Sequence, residues 1–99
     1  MRISSQTITV LHALQKSTRA WTHGYELSRI TGLKSGTLYP ILLRLHDEGW
    51  LEAKWEPSRE QGRPPRHLYR ITAAGSSESK KIFQLAEAKS RTQQLAYER

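Results

Sequence analysis

Side chains able to bind phosphate and base edges are concentrated in one short segment of the chain, residues 34–44. This set comprises Lys34, Ser35, Gly36, Thr37, Tyr39 and Arg44. Lysine and arginine bind phosphate oxygens or guanine, hydroxyl groups bond to phosphate or base edges, and glycine lets the main chain approach a partner closely. On a helix, Arg44 falls on nearly the same face as Thr37, seven residues earlier. This chemistry is recognition by charge and groove fit, and it needs no catalytic group.

The charge balance indicates the partner. The 99 residues include 16 Lys and Arg against 9 Asp and Glu, for a net charge of +7. Such an excess favours a polyanion, and double-stranded DNA is the first candidate. A chain of this length forms one domain with a modest core, which favours pairing with a second copy.

Each of these side chains also has a purely structural alternative. For Lys34, Arg44 and the arginines of residues 56–66, the alternative is a solvated surface cation, which their placement and the net charge disfavour. The hydroxyl of Ser35 is the expected N-cap of a helix, so Ser35 and Thr37 serve capping, DNA contact or both. Tyr39, and Tyr25 before it, either pack half-buried or offer a hydroxyl to phosphate. The sequence leaves these alternatives open.

The elements that position this segment follow from periodicity and stop signals. A third helix is predicted from the Ser35 cap to Glu48, ending at Gly49, because an apolar stripe recurs at helical spacing at Leu38, Ile41, Leu42 and Leu45. Pro40 is tolerated because it lies close to the first turn. A short second helix, Tyr25 to Thr31 with Leu27 and Ile30 inward, stops at Gly32. Since few residues separate the two helices, they form a helix-turn-helix.

The flanking segments complete a winged arrangement. A first helix is predicted from Thr7 to about Lys16, and residues 17–24 form a connection in which Trp21 must pack. After Gly49, residues 50–55 and 67–72 are predicted as two antiparallel strands. The loop between them, residues 56–66, should protrude as a basic wing. The arginines of this wing clamp the flanking DNA backbone or enter the minor groove. They are Arg59, Arg63 and Arg66.

A long final helix, capped by Thr72 and running to about Tyr97, is expected to join two copies. Lys89 and Thr92 interrupt its apolar pattern, so a regular coiled coil is not expected, and the helix can instead fold against the first helix of a second copy. The predicted dimer contacts are Ile8, Leu11, Ile82, Phe83, Leu85, Ala86, Leu95 and Ala96. The predicted fold class is mainly α with a small β-hairpin. A winged helix-turn-helix spans residues 1–75, and a C-terminal dimerisation helix spans residues 76–99 of the same compact unit.

Several classes of function lack the residues they need. The chain has no Cys, and its four His have no partners at metal-ligand spacing, so neither a metal nor another cofactor is expected. No Ser-His-Asp arrangement or Gly-rich phosphate loop is present, so an enzyme is not expected. The sequence has no apolar run of membrane-spanning length and no signal-peptide core, which predicts a cytoplasmic protein without a membrane partner.

Three blocks together resemble the PadR family of bacterial transcriptional regulators. They are Gly24-Tyr25-Glu26-Leu27, the run from Gly36-Thr37-Leu38-Tyr39-Pro40 to Gly49-Trp50-Leu51, and the run from Arg66-His67-Leu68-Tyr69 to Thr72-Ala73-Ala74-Gly75. The resemblance covers roughly residues 7–75, and the final helix is similar in position more than in sequence.

The resemblance implies a homodimer joined mainly through the last helix, which binds a pseudo-palindromic operator and usually represses transcription. It implies that the start of the third helix enters the major groove while the wing touches the flanking backbone, which here means Ser35, Gly36, Thr37, Tyr39 and residues 63–66. Some members bind phenolic acids or flat aromatic drugs. This final helix, whose aromatic residues are Phe83 and Tyr97, lacks the pocket Trp of the drug-binding members, so a small-molecule effector is unsupported. The alternative function is a winged-helix module that binds an acidic protein without specific DNA binding.

Overall fold

Four helices and a small sheet form the molecule in this computed structural model, which describes residues 3–17, 20–57, 62 and 66–97. This confirms the predicted winged-helix fold class. In chain order the elements are α1 (Ser5–Gln15), β1 (Thr22–His23), α2 (Gly24–Thr31), α3 (Ser35–Asp47), β2 (Leu51–Glu56), β3 (Arg66–Ile71) and α4 (Ala73–Tyr97). The predicted helices are all present, and their ends differ from the predicted ones by at most two residues.

The sheet has three antiparallel strands in the order β1-β3-β2, one more than the predicted hairpin. The additional strand, β1, lies within the segment predicted to be a connection, and it pairs Thr22 with Tyr69 and His23 with Leu68. Two residues are too few to show a strand periodicity, so the pairing was not visible in the sequence. β1 ends where α2 begins, so it ties the start of α2 to the strands of the wing.

The two faces of the sheet have different surroundings. Leu51, Tyr69 and Ile71 project from one face into the hydrophobic core. On the other face the Trp21 ring lies under two cations, with Lys54 Nζ 4.3 Å and Arg70 Cζ 4.4 Å from its centroid. Trp21 therefore packs by cation–π contacts outside the core.

The core is built mainly by α1 and α3. The α3 stripe predicted from the sequence is buried throughout, since its four residues are at most 3% exposed. From α1 come Val10, Leu11 and Leu14, and Leu11 is 0% exposed within one protomer. The prediction that Leu11 contacts a second copy is therefore wrong, because its side chain is already enclosed by its own chain. Ile30 was predicted to point inward and is instead 50% exposed.

The corner between α2 and α3 is held by side chains of α2. Gly32 has a φ of +73°, the left-handed conformation that glycine adopts most easily at a helix C-terminus. The Thr31 hydroxyl donates to the Leu27 carbonyl (2.7 Å) and accepts from the Leu33 N–H (3.2 Å), and the Ser28 hydroxyl donates to the Leu33 carbonyl (2.6 Å). These bonds satisfy the end of α2 and fix the direction in which α3 leaves.

The tail of α3 is tied to the start of α4. Gly49, with a φ of +80°, ends the helix, and its carbonyl accepts from the Thr72 hydroxyl (2.8 Å). The Thr72 hydroxyl also accepts from the Gly75 N–H (3.0 Å), which confirms Thr72 as the predicted cap. A Cβ at Gly75 would collide with the Trp50 carbonyl. The direction of α4 is therefore coupled to the end of α3.

The first half of α4 packs against α1, and the rest extends beyond it. Gln15 Nε2 donates to the Ser76 hydroxyl (2.8 Å), and the His12 and Phe83 rings stack with centroids 3.8 Å apart. Beyond that stack Leu85 is 70% exposed, and residues 87–93 are all exposed. At 1.5 Å per residue, the 25-residue helix is roughly 37 Å long.

Candidate nucleic-acid interface

The first turn of α3 lacks a side-chain cap among the described residues. The N-cap is Lys34, with extended backbone at φ −70° and ψ 154°, and no side chain bonds to the free N–H groups there. The prediction that Ser35 caps the helix is wrong, because the helix begins one residue earlier and Ser35 is already inside it. Free N–H groups at a helix N-terminus favour an anion, and the exposed Lys34 adds a positive charge beside them.

Gly36, in this first turn, is not required by the protomer. Its φ is not in the positive range, and no described neighbour lies within 4 Å of where a Cβ would stand. A glycine inside a helix costs roughly 0.5–1 kcal/mol of stability relative to alanine. A residue that weakens the helix and relieves no clash with the described residues points to a partner that approaches the backbone closely.

The outward face of α3 lies opposite its buried stripe. This face carries Gly36, Pro40, Leu43 and Asp47, which are all exposed and follow each other at spacings of three or four residues. Thr37, partly buried, and Arg44, exposed, lie along one flank, where Arg44 Nε donates to the Pro40 carbonyl (3.4 Å). The residues at the centre of this face are therefore not the polar residues that the sequence predicted. Leu43, 62% exposed, was missed because a leucine carries no functional signal until its exposure is known.

A notch beside the start of α2 brings three of the predicted residues together. This cavity of about 490 Å³ is lined by Tyr25, Tyr39 and Arg66, and all three residues are exposed. Tyr39 packs so closely on Gly24 that a Cβ there would collide with the Tyr39 hydroxyl. The notch combines two phenol hydroxyls, a guanidinium and the N-terminus of α2, groups that can bind a phosphate of the DNA backbone, while Glu26, which also lines it, is paired with Arg29.

A second cavity, of about 500 Å³, separates α3 from the wing strands. On its wing side, the Trp55 ring is 64% exposed and stacks on His67, with centroids 4.2 Å apart. His67 Nδ1 lies 3.1 Å from the Tyr69 hydroxyl, and burial raises the pKa of Tyr69 to about 12 with a smaller contribution from Tyr39. Sequence reasoning assigned Trp55 to a strand and gave it no part in a site.

The cations at this surface have no carboxylate partner among the described residues. Lys34, Arg44 and Arg66 form no ion pair there, whereas Arg29 pairs with Glu26 and Arg70 pairs with Glu52. Two of the predicted wing arginines, Arg59 and Arg63, lie outside the described residues. The described positive charges therefore border both sides of the outward face of α3.

The predicted dimer contacts vary in accessibility. Ile82 and Phe83 are partly buried against the core, Ile8 and Ala86 are half-buried, and Leu85 is exposed. Leu95 and Ala96 lie in α4, but their side chains fall outside the described residues. Within the described part of the chain, no group of three or more His, Asp or Glu side chains is placed to hold a metal ion. No described helix is long and apolar enough to cross a membrane.

Known proteins match this chain by sequence and by fold. A model of the transcriptional regulator PadR-like family matches residues 10–81. No curated protein sequence matches the chain. The fold is similar to that of a PadR family transcriptional regulator from Eggerthella lenta DSM 2243, with 26% identity, a TM-score of 0.70 and coverage of 88% of this chain and 80% of that one.

Two further structures extend the comparison. A PadR-like transcriptional regulator from Bacillus cereus strain ATCC 14579 has 26% identity and a TM-score of 0.69, over 91% of this chain and 88% of its own. A mutant of MarR from E. coli, solved in complex with operator DNA, has 24% identity and a TM-score of 0.63, over 84% of this chain and 55% of its own. Because the family model spans most of the chain and the winged fold agrees with it, the chain belongs to the PadR-like family of transcriptional regulators.

Proposed function

We propose that this chain is a homodimeric, sequence-specific DNA-binding repressor that acts on a pseudo-palindromic operator in the cytoplasm. The head of α3 enters the major groove, and the wing contacts the flanking backbone. The observation that carries this proposal is the first turn of α3, where uncapped N–H groups, Lys34 and an otherwise unneeded Gly36 occur together. That combination suits a negatively charged partner at close range.

The second support is the placement of the groups around α3. The notch formed by Tyr25, Tyr39 and Arg66 lies beside this helix, so it can hold a backbone phosphate while α3 occupies the groove. Arg44 lies farther along α3 and is exposed on its flank, within reach of the opposite strand. Arg59 and Arg63 belong to the proposed wing contact by their place in the sequence.

The proposed dimer rests on the exposed half of α4. Leu85 is 70% exposed, and residues 87–93 are all exposed in the described part of the protomer. A mostly polar helix of this kind is not stable alone in water, so a partner surface is expected to cover it. A two-fold pair would place two α3 heads about 34 Å apart, one turn of B-DNA. Residues 1–75 then form the DNA-binding part and residues 76–99 the dimerisation helix.

In this proposal, transcription is repressed because the dimer occupies the operator. A dimer that covers both half-sites excludes other proteins from the same DNA, and it needs no catalytic group or cofactor.

The alternative, a protein-interaction module, has one feature in its favour, the exposed Trp55 and Leu43 beside the cavity between α3 and the wing. Selection from random DNA separates the two functions.

The test is selection of bound sequences from a random duplex library at physiological salt. The proposal predicts an inverted repeat with half-site centres 10–10.5 base pairs apart. Recovery of no preferred sequence, together with tight binding to an acidic protein, would favour the interaction module.

A second measurement tests the charged contact. Lys34→Ala should weaken binding and reduce the salt dependence by about one unit of slope per half-site. The matched control is Lys80→Ala, which removes an exposed lysine from α4 and should leave the slope unchanged. Equal slopes for the two variants would count against a phosphate contact at Lys34.

A further inference from the structure

From Gly36 to Leu43 the outward face of α3 is apolar, whereas a DNA-reading helix is usually polar there. Its row of Gly36, Pro40, Leu43 and Asp47 contains no side-chain hydrogen-bond donor. Pro40 and Leu43 are both exposed, and Leu43 is 62% exposed. The direct hydrogen-bonded contacts to guanine and adenine are made by Arg, Lys, Asn or Gln, and this row holds none of them.

The position of Leu43 makes its exposure informative. Single exposed leucines are common on protein surfaces and need no explanation by themselves. Leu43, however, lies opposite the buried Ile41 and Leu45, in line with Gly36 one heptad earlier. A helix that enters the major groove with Gly36 leading would bring Leu43 toward the base edges, and the missing Cβ at Gly36 would allow the closer approach.

The major groove offers one apolar group, the C5-methyl of thymine. We infer that Leu43 recognises a thymine methyl in each half-site and is thereby a determinant of sequence specificity. This inference rests on the proposed function. Pro40 borders the same contact, while Thr37, Arg44 and Tyr39 lie on the flanks of the helix and are left for sugar, phosphate and base-edge bonds.

The experiment uses an operator recovered by selection and replaces its thymines by deoxyuridine, one position at a time. Deoxyuridine keeps every hydrogen-bonding group of thymine and lacks the methyl. We expect one position in each half-site at which the replacement weakens binding by about fourfold, the factor given by losing the burial of one methyl-sized group. Replacement in both half-sites should weaken binding by about fifteenfold, because the two losses multiply.

The matched variants assign the methyl contact to a residue. Leu43→Ala should bind the thymine and deoxyuridine operators equally. Ile30→Ala removes a similarly exposed aliphatic side chain from α2 and should keep the full preference for thymine.

The outcomes separate this inference from the function beneath it. If wild-type protein prefers its operator but binds the deoxyuridine form equally at every position, the inference is overturned and the proposed function stands. A thymine preference that survives Leu43→Ala would also overturn it. If selection recovers no preferred sequence, the proposed function fails and the inference falls with it.

Discussion

The head and the tail of α3 differ in what the rest of the protomer requires of them. At the tail, Gly49, Thr72 and Gly75 are each fixed by a positive φ, a hydrogen bond or a close approach to backbone. At the head, Lys34 and Gly36 have no such partner among the described residues. Because folding does not explain Lys34 and Gly36, we expect these two residues to serve recognition of a partner. The same helix is thus anchored at one end and open at the other.

The contrast across α3 should appear most strongly in two leucines. Leu38 is 0% exposed, and Leu38→Ala should lower the free energy of unfolding by about 3 kcal/mol, because it empties a packed site. Leu43→Ala, at the exposed face, should change it by less than about 0.5 kcal/mol. Urea denaturation of both variants measures the difference. A large loss for Leu43→Ala would mean that its side chain serves packing instead of recognition.

The next largest effect on stability is expected at Gly75, at the junction between α3 and α4. Gly75→Ala should destabilise the protein by about 2 kcal/mol, because the new Cβ would meet the Trp50 carbonyl and force the start of α4 away from the end of α3. Thermal and urea unfolding would measure it. Unchanged stability would show that the junction between α3 and α4 adapts easily.

In contrast to Gly75→Ala, Gly36→Ala should stabilise the protein, and it should also weaken DNA binding. It should raise the free energy of unfolding by about 0.5–1 kcal/mol, because alanine is the better helix former and no described neighbour obstructs its Cβ. Operator affinity should fall, since the methyl stands where DNA approaches. Gel-shift titration beside urea denaturation tests both parts. A variant that is more stable and binds equally well would contradict close approach at Gly36.

The last prediction concerns stability at alkaline pH. Because burial raises the pKa of Tyr69 from 10.0 to about 12, the folded state holds this proton more tightly than the unfolded state does. The resulting stabilisation is complete below pH 10 and is lost as the pH rises toward 12. Tyr69→Phe should lack this alkaline component. Unfolding measured across that range for both proteins checks it, and parallel curves would exclude Tyr69 as the source.

The sequence predicted the fold well where the signals are local. The α3 stripe follows from helical periodicity, and the helix ends at Gly32 and Gly49 follow from the ease with which glycine adopts positive φ. Thr72 was identified as a cap for similarly local reasons. The PadR resemblance, confirmed by the family model, covered the same blocks.

What the sequence missed depends on tertiary contacts. β1 exists because two residues pair with β3, which no local pattern shows. Leu11 and Ile30 were placed on the wrong surfaces because periodicity shows that one side of a helix is apolar without showing how much of it the neighbouring helices cover. The same limit applied to the candidate site, where Leu43 and Trp55 gained significance only through their exposure.

The proposed function depends on contact between the uncapped first turn of α3 and the operator. Amide hydrogen exchange of the free protein and of its complex with a selected operator tests it directly, since bound phosphate or base groups would protect free N–H groups. We expect DNA to slow exchange at Ser35 and Gly36, whose N–H groups have no acceptor among the described residues, and to leave the hydrogen-bonded amides at Gly49 and Trp50 unchanged. Protection confined to other parts of the chain, with no change at Ser35 and Gly36, would contradict it.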